Sequence, residues 1–291
     1  MIKFANLCKS FKEFKVINNT DFSVKTNSVF GLVGINGAGK STLLRLASGV
    51  YKPNSGAVLI NGADVYENET IKKDILFISD NPYAPRNTNI NTLKEFYDSF
   101  YSFDEEVYRN YLDIFKVNDE KPLNAFSKGM RRRVYLAVAF TICPKVLFLD
   151  ETFDGLDPVG KIIFKNELIK IKEKKEMTVI IASHSLKELE GVCDTFGIMK
   201  DGKVVTIDDQ EVKNIKVCKV MLAFNKTIEK EMFNEFHLLK SEINNYFASL
   251  IVKGDKENIS ILIEKLNPIA SEIIDLSFEE MFMYEIGELY E

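Results

Sequence analysis

Short runs of consecutive apolar residues alternate along most of the chain with segments in which apolar residues recur at helical spacing. The strand-like runs occupy residues 28–33, 57–60, 75–79, 146–149, 178–182 and 196–199. The helix-like segments occupy residues 40–48, 92–103, 105–116, 128–140 and 159–172. Continuous apolar strands separated by helices are typical of parallel sheets that are covered on both faces. The pattern therefore predicts an α/β fold.

This alternation is interrupted once and then restarts near the end of the chain. Helical segments at about 81–141 indicate a helical insertion in the α/β core. Asp201-Gly202 predicts a hairpin turn, and beyond it the composition becomes acidic, with 9 Lys/Arg against 15 Asp/Glu in residues 211–291. Strand-like runs at 219–224, 246–254 and 272–276, with helical runs at 257–266 and 278–289, predict a small α+β domain. We expect domains at 1–210 and 211–291.

Composition excludes several classes of protein. With 46% hydrophobic and 28% charged residues among 291, the chain is neither collagenous nor largely disordered. The net charge of −5 is concentrated in the C-terminal part, so the chain lacks the basic footprint of a nucleic-acid-binding protein. No apolar run approaches the roughly 20 residues that cross a bilayer, which predicts a cytoplasmic chain.

The first candidate site is a glycine-rich loop between a predicted strand and a predicted helix. Residues 34–42, GINGAGKST, match the pattern GxxxxGK[ST] in the context that a phosphate-binding loop requires. Glycines allow consecutive N–H groups to point at phosphate oxygens, Lys40 adds a point charge, and Ser41 suits Mg²⁺. The predicted phosphate-binding residues are Asn36, Gly37, Ala38, Gly39, Lys40, Ser41 and Thr42.

The second candidate site is a pair of carboxylates after the apolar strand 146–149. Strand alternation directs the side chains of Asp150 and Glu151 to different sides, so they can act differently. Asp150 suits a grip on Mg²⁺, and Glu151 could polarise a water that attacks the γ-phosphate. An acidic cap of the next helix is the alternative interpretation of the pair.

With these motifs, residues 1–207 resemble an ATP-binding cassette ATPase, the nucleotide-binding subunit of a transporter. Residues 126–130, FSKGM, stand where that family has its signature motif, and residues 155–158, GLDP, resemble its D-loop. His184 resembles the family's switch histidine, and Phe11 stands where an aromatic residue stacks on adenine. The resemblance implies a P-loop NTPase fold: a RecA-like core with an antiparallel β subdomain and the helical insertion.

The resemblance also implies how the chain would work. Two such domains pair head to tail, and Ser127 and Gly129 of one meet the γ-phosphate bound to the other. His184 would hold the attacking water with Glu151, and Asp157 would cross the dimer interface. ATP and Mg²⁺ are the implied cofactors. The implied partners are a second cassette, identical or different, and a separate transmembrane permease that docks near residues 80–103. The chain would then lie on the inner face of the membrane.

Three positions depart from the family pattern. Lys128 replaces the first glycine of the signature motif. Asp80 replaces a glutamine that contacts Mg²⁺, and its carboxylate can still ligate Mg²⁺ through water. Phe11 replaces the commoner tyrosine, which changes little because stacking uses the ring face. The C-terminal LSFEEMFMYEI resembles the tail of bacterial exporter-type cassettes with separately encoded permeases.

Two other functions stay open for the sequence. A soluble cassette ATPase acting on ribosomes or DNA is one, and a regulatory scaffold that binds ATP without hydrolysing it is the other. The run of Arg131, Arg132 and Arg133 is expected to form a solvated or interfacial helix face rather than a nucleic-acid site. His237 has no motif around it and is expected to be structural.

Overall fold

The computed structural model describes residues 1–85, 87–117, 121–174, 177–208, 210, 216–277, 280–281 and 284. The chain forms two compact units, Met1–Asp208 and Asp209–Glu291. The strands of the first unit are β1 (Ile2–Phe11), β2 (Phe14–Val24), β3 (Val29–Val33), β4 (Ser55–Ile60), β5 (Ala63–Asp64), β6 (Ile75–Ile78), β7 (Val146–Asp150), β8 (Thr178–Ser183), β9 (Thr195–Lys200) and β10 (Lys203–Asp208). Its helices are α1 (Lys40–Ala47), α2 (Glu69–Lys72), α3 (Ile90–Asp98), α4 (Glu105–Ile114), α5 (Lys128–Ile142), α6 (Pro158–Lys174) and α7 (Leu186–Leu189).

A six-stranded sheet forms the centre of the first unit, in the order β10-β9-β3-β8-β7-β6. The pairs β3–β8, β3–β9, β7–β8 and β6–β7 are parallel, and only the edge pair β9–β10 is antiparallel. Strands β7 and β8 are buried along their whole length, which confirms the predicted α/β fold. Because the carboxyl ends of parallel strands share one edge, the loops after β3, β6, β7 and β8 meet there.

The predicted hairpin after β9 is also confirmed. Asp201 and Gly202 connect β9 to β10 with φ angles of 50° and 73°, the left-handed values that a two-residue turn of this kind needs. Gly202 also approaches the backbone of Val16 closely, and its carbonyl accepts hydrogen bonds from Asn18 and Thr20 of β2.

A second, antiparallel sheet in the order β2-β1-β4-β5 accompanies the central one. Hydrophobic patterning did not single out β1 and β2, because bulges interrupt their register and their outer positions are polar. Their buried side chains nevertheless join a core that continues into β3. The rings of Phe4 in β1 and Phe22 in β2 stack with their centroids 4.2 Å apart, and Phe22 also stacks on Phe30 in β3.

Helices α3, α4 and α5 lie in the region, about 81–141, in which the sequence predicts a helical insertion. Asn89 caps α3 in a reciprocal pair with Thr92, and Asp104 caps α4. Helix α5 begins at Lys128 behind the cap residue Ser127, and it is buried continuously from Arg132 to Thr141. The first turn of α5 therefore lies at the surface while the rest of the helix anchors the insertion.

The second unit has the strands β11 (Val217–Ala223), β12 (Leu238–Asn244), β13 (Phe247–Lys253) and β14 (Ala270–Asp275), with helix α8 (Lys256–Leu266). The sheet order β12-β13-β11-β14, with every neighbouring pair antiparallel, is that of a split βαβ arrangement. Strand β12 was not predicted, because its sequence LLKSEIN alternates only weakly. Most of the predicted helix 278–289 lies outside the described residues, although Met281 and Tyr284 pack near Val217 and Ile251.

None of the helices within the described ranges combines the length and the apolar character that crossing a bilayer requires.

Candidate functional site

The glycine-rich loop follows β3 and wraps around the ammonium group of Lys40. Gly37 and Gly39 have φ angles of 86° and 108°, a backbone conformation that other residues rarely adopt. Lys40 starts α1, is only 5% exposed, and donates hydrogen bonds to the carbonyl oxygens of Gly34 (2.6 Å) and Ile35 (3.3 Å). The remaining predicted residues lie around it: Asn36 is exposed, and Ala38, Ser41 and Thr42 are half-buried.

The carboxylate of Glu151 lies between Lys40 and His184. Its Oε1 is 3.2 Å from Lys40 Nζ, and its Oε2 is 2.9 Å from His184 Nδ1. Glu151 has a φ of 46°, so its backbone is in the left-handed region, and its N–H donates to the carbonyl of Ala182 in β8. The structure thus brings together three residues that the sequence placed after three different strands.

Ser41 and Asp150 form a second contact at the same end of the sheet. Ser41 Oγ donates to Asp150 Oδ1 over 3.0 Å, whereas Asp150 Oδ2 is buried and makes no hydrogen bond to the described residues. Burial raises the pKa of Asp150, against the smaller lowering effect of the Ser41 hydrogen bond.

A hydroxyl beside a carboxylate oxygen without a partner is a donor set that fits a hard divalent cation. No group of three or more His, Cys, Asp or Glu in the described part of the chain forms a complete cage for such an ion. One carboxylate with few protein ligands is what Mg²⁺ uses when substrate phosphates complete its shell.

Asp80, which follows β6, forms ion pairs with two basic residues of α5. Its Oδ1 lies 3.0 Å from Lys128 Nζ and 2.9 Å from Arg132 Nη2. Two of the three departures from the family pattern, Asp80 and Lys128, are thus partners in one ion pair. The charge of Asp80 also makes a small contribution to the raised pKa of Asp150, so the two carboxylates lie close enough to interact electrostatically.

Ser127 and Gly129 lie at the start of α5, as the sequence predicted. Ser127 is exposed, and its Oγ accepts a hydrogen bond from the N–H of Met130. A Cβ on Gly129 would lie 2.3 Å from the carbonyl oxygen of Gly155, so this close approach of two backbones requires glycine. The first turn of α5 contains no acidic residue, so no carboxylate of that turn neutralises the positive end of the helix dipole.

Asp157 is engaged within its own chain. Its Oδ1 accepts a hydrogen bond from the N–H of Gly160 at the start of α6, and it forms an ion pair with Arg133. The Gly160 hydrogen bond and the Arg133 guanidinium lower the pKa of Asp157.

The expectation for the arginine run is wrong for two of its members. Arg132 and Arg133 are 2% and 8% exposed, so they do not form a solvated helix face. Arg133 donates to the carbonyl of Phe115, and Arg132 donates to backbone carbonyls at the ends of two strands. Sequence reasoning missed them because a charged triplet on a helix is usually solvated. The signal available was the uninterrupted apolar run that follows it.

Phe11 ends β1 with a ring that is 43% exposed. It meets Tyr51 edge to face, with ring centroids 5.6 Å apart, and Lys9 Nζ lies 5.2 Å from its centroid. Tyr51 was not predicted as a neighbour, since it follows α1 and lies far from Phe11 in sequence. The Phe11 side chain therefore packs against Tyr51 and Lys9 but remains accessible to a ligand, unlike a core residue.

The chain is similar in sequence to known proteins. The family profile described as "ABC transporter" matches residues 17–154. The ABC transporter ATP-binding protein YtrB of Bacillus subtilis (strain 168) is 24% identical over 99% of this chain and 98% of its own length. The lantibiotic transport ATP-binding protein SrtF of Streptococcus pyogenes is 30% identical over 70% of this chain and 89% of its own length.

Solved structures agree on the fold. The structure of an ATP-binding subunit of an ABC transporter superposes with a TM-score of 0.67 at 25% identity, covering 73% of this chain and 92% of that one. The P-loop NTPase fold implied by the sequence is thereby confirmed. The relatives, the shared fold and the phosphate loop around Lys40 lead to one conclusion: this chain belongs to the ABC transporter family as an ATP-binding subunit, an enzyme that hydrolyses ATP.

Proposed function

We propose that the chain binds Mg·ATP, pairs head to tail with a second cassette, and hydrolyses ATP to drive a separate membrane permease in the direction of export. The observation that carries the proposal is the Glu151 carboxylate held between Lys40 and His184. A cation suited to phosphate oxygens and a carboxylate suited to accept a proton lie side by side at one end of the sheet.

The reaction assigns a separate task to each of these groups. A water oxygen bonds to the γ-phosphorus while the bond from that phosphorus to the bridging oxygen of ADP breaks, and Glu151 accepts the proton that the water loses. Lys40 balances the charge on the phosphate oxygens. His184 contacts the γ-phosphate and holds the Glu151 carboxylate in position. Phe11 offers the face of its accessible ring to the adenine.

The residues Ser41 and Asp150 would hold Mg²⁺, since they present a hydroxyl and a carboxylate oxygen that lacks a protein partner. When bound, the ion would neutralise charge on the phosphates. Asp80 has its Oδ1 engaged by Lys128 and Arg132, so we assign it a contribution through water from its other oxygen.

A second cassette would complete the site through the start of α5. Ser127 presents an exposed hydroxyl, and the backbone of Gly129 and the positive end of the helix suit a γ-phosphate bound by a partner. Asp157 would cross the interface with its loop, while its carboxylate stays paired with Arg133 and Gly160. Homodimers and heterodimers both satisfy this arrangement.

The permease would dock along residues 80–103 of the helical insertion. Three large aromatic side chains in this stretch are strongly exposed: Tyr83 at 87%, Phe96 at 55% and Phe100 at 64%. An exposed aromatic surface of this kind suits a protein partner. Export is favoured by the exporter-like C-terminal sequence, and the similar protein SrtF is named for lantibiotic transport. The chain would accordingly lie on the cytoplasmic face of the membrane.

The test compares ATP turnover and oligomeric state in the wild type and in Glu151→Gln. We expect turnover to fall by about 10²–10⁴-fold, as for loss of a general base, while an ATP-dependent dimer accumulates. His184→Ala should also lose turnover, whereas His237→Ala, which alters the only other histidine, should not. A Glu151→Gln variant with normal turnover would overturn the proposal.

The choice of partner needs its own measurement. Affinity purification of the tagged chain from membranes and from ribosomes distinguishes a permease partner from a soluble cassette function. Recovery with a membrane-spanning protein supports the proposal, and recovery with ribosomes contradicts it. Wild-type protein that binds ATP without hydrolysing it would instead support the scaffold function.

A further inference from the structure

The guanidinium of Arg132 joins the ends of two neighbouring strands of the central sheet. Its side chain is 1% exposed. Nη1 donates to the carbonyl of Ser79 over 2.9 Å, and Nη2 lies 2.8 Å from the carbonyl of Asp80 and 3.1 Å from the carbonyl of Glu151. Nη2 also lies 2.9 Å from Asp80 Oδ1. Arg132 therefore ties the segment after β6 to the segment after β7.

Burial of a guanidinium costs desolvation free energy, which close acceptors must offset. Burial lowers the pKa of Arg132 even though the Asp80 carboxylate opposes this shift. The flat, forked arrangement of donors in arginine can serve several acceptors at once, whereas a lysine ammonium acts as a single point. The two terminal nitrogens of Arg132 serve three backbone carbonyls and one carboxylate, whereas its buried Nε makes no hydrogen bond to the described residues.

One of these carbonyls belongs to a strained residue. The left-handed φ of 46° at Glu151 is unfavourable for a residue with a side chain, and it persists only where neighbours enforce it. The Glu151 N–H donates to Ala182, and its carbonyl accepts hydrogen bonds from Arg132 and from the N–H of Asp154. This peptide orientation determines where the Glu151 side chain leaves the backbone.

Lys128 holds the same turn from the solvent side. It lies one helical turn before Arg132 on α5, and its Nζ is 2.6 Å from Asp154 Oδ2 and 3.0 Å from Asp80 Oδ1. The Lys128 side chain is 44% exposed, so its ion pairs are screened by solvent and weaker than the Arg132 contacts. Two basic residues of α5 thus grip both ends of the turn from Glu151 to Asp154.

We infer that Arg132 is a positioning residue for Glu151: its buried fork fixes the strained turn so that the carboxylate stays between Lys40 and His184. Lys128 reinforces this turn through Asp154. The inference rests on the proposed catalytic role of Glu151. Among the described residues, Arg132 bonds to Ser79, Asp80 and Glu151 and not to the phosphate loop, so we expect its main effect on the chemical step, with a smaller one through Asp80.

The experiment measures kcat, KM for ATP and ATP-dependent dimerisation in Arg132→Lys. Because a misplacement of about 1 Å in an active site can cost 10²-fold, we expect kcat to fall by about 10–100-fold. KM should stay within about threefold and the dimer should still form. The matched control is Arg109→Lys, which changes an exposed arginine paired with Glu105 and should leave kcat unchanged.

The same substitution made in the Glu151→Gln variant separates this inference from the proposed function. In Glu151→Gln, the Arg132→Lys change should cause a much smaller loss of turnover than in the wild type, because the part of its effect that passes through Glu151 is already absent. Normal turnover in Glu151→Gln alone would refute the catalytic role of Glu151. Loss of turnover in Glu151→Gln with normal kcat in Arg132→Lys would refute only the positioning role. Full additivity in the double variant would also refute it.

A folding defect in Arg132→Lys would not prevent a decision. Asp154→Asn releases the Lys128 tie of the same turn, and the Asp154 side chain is 51% exposed, so this variant should fold. A several-fold fall in kcat at unchanged KM supports the inference, with a smaller effect than at Arg132. An unchanged kcat in Asp154→Asn would then overturn it.

Discussion

The Lys40 ammonium and the Glu151 carboxylate form an ion pair of 3.2 Å that links the phosphate loop to the end of β7. Both side chains are largely buried, at 5% and 17% exposure. Two charges withdrawn from water in this way depend on each other, because removal of one leaves the other uncompensated. The pair therefore couples the stability of the site to its chemistry.

This coupling predicts a double-mutant cycle. Lys40→Met should lower the free energy of unfolding by about 1–3 kcal/mol, since it removes the cation that faces the largely buried Glu151 carboxylate. Adding Glu151→Gln should restore most of this loss, because the uncompensated charge is removed as well. Urea denaturation without nucleotide measures both effects. Strictly additive losses would show that the two charges do not interact.

ATP binding in the same variants gives a separate outcome. Equilibrium binding should be lost in Lys40→Met and in the double variant, because both lack the phosphate-binding charge. Glu151→Gln alone should keep its affinity. Restored stability without restored binding would separate the structural role of the pair from its functional one.

The buried carboxylate of Asp150 should make the free energy of unfolding depend on pH. Burial raises its pKa above that of an unfolded aspartate, about 3.9, so the ionised carboxylate costs stability once the pH rises above that value. Asp150→Asn should therefore raise the free energy of unfolding at pH 7 by about 1–2 kcal/mol, the order of the cost of a buried group that lacks a partner. The gain should shrink as the pH falls toward 4.

Denaturation in the presence of a chelator measures this gain. Asp74→Asn is the control, since Asp74 lies at the surface beside Lys145 and its loss should not stabilise the protein. The stabilised Asp150→Asn variant should have lost ATP turnover. A variant that is less stable than the wild type at pH 7 would contradict the cost assigned to the buried carboxylate.

Local patterns in the sequence were sufficient to predict the central sheet and the phosphate loop. Strands such as β7 and β8 are apolar on both faces, and the glycines around Lys40 have conformations that only their residue type adopts easily. Strands β1 and β2 were not visible, because bulges and polar outer positions conceal their period. Such elements are defined by their partners rather than by their own residues.

Contacts between distant segments were the other limit. Asp80 and Lys128 could be recognised only as two separate departures, although the structure joins them in one ion pair. The burial of Arg132 likewise depends on carbonyls at the ends of β6 and β7. A one-dimensional pattern does not contain these tertiary relationships.

Phe11 predicts a defined loss of nucleotide affinity. Phe11→Ala should weaken ATP binding by about 1–3 kcal/mol, the contribution of stacking between a base and an aromatic ring. Phe14→Ala is the matched control, because Phe14 is 71% exposed on the neighbouring strand. Phe11→Tyr should bind ATP like the wild type. Equal affinity in Phe11→Ala and Phe14→Ala would place the adenine elsewhere.

The contact between Gly129 and Gly155 predicts that the start of α5 does not tolerate even one methyl group. A Cβ at position 129 would lie 2.3 Å from the carbonyl oxygen of Gly155, so Gly129→Ala must displace one backbone from the other. Overpacking of this kind costs about 1–3 kcal/mol, and it would shift the Ser127 hydroxyl and the adjacent N–H groups. We expect ATP turnover to fall at least about tenfold, as for loss of an active-site contact. Gly62→Ala is the control. The φ of 87° at Gly62 makes this substitution strained as well, but an added Cβ there would have no neighbour within 4 Å. Turnover should survive in Gly62→Ala, and comparable turnover in Gly129→Ala would show that the start of α5 takes no part in hydrolysis.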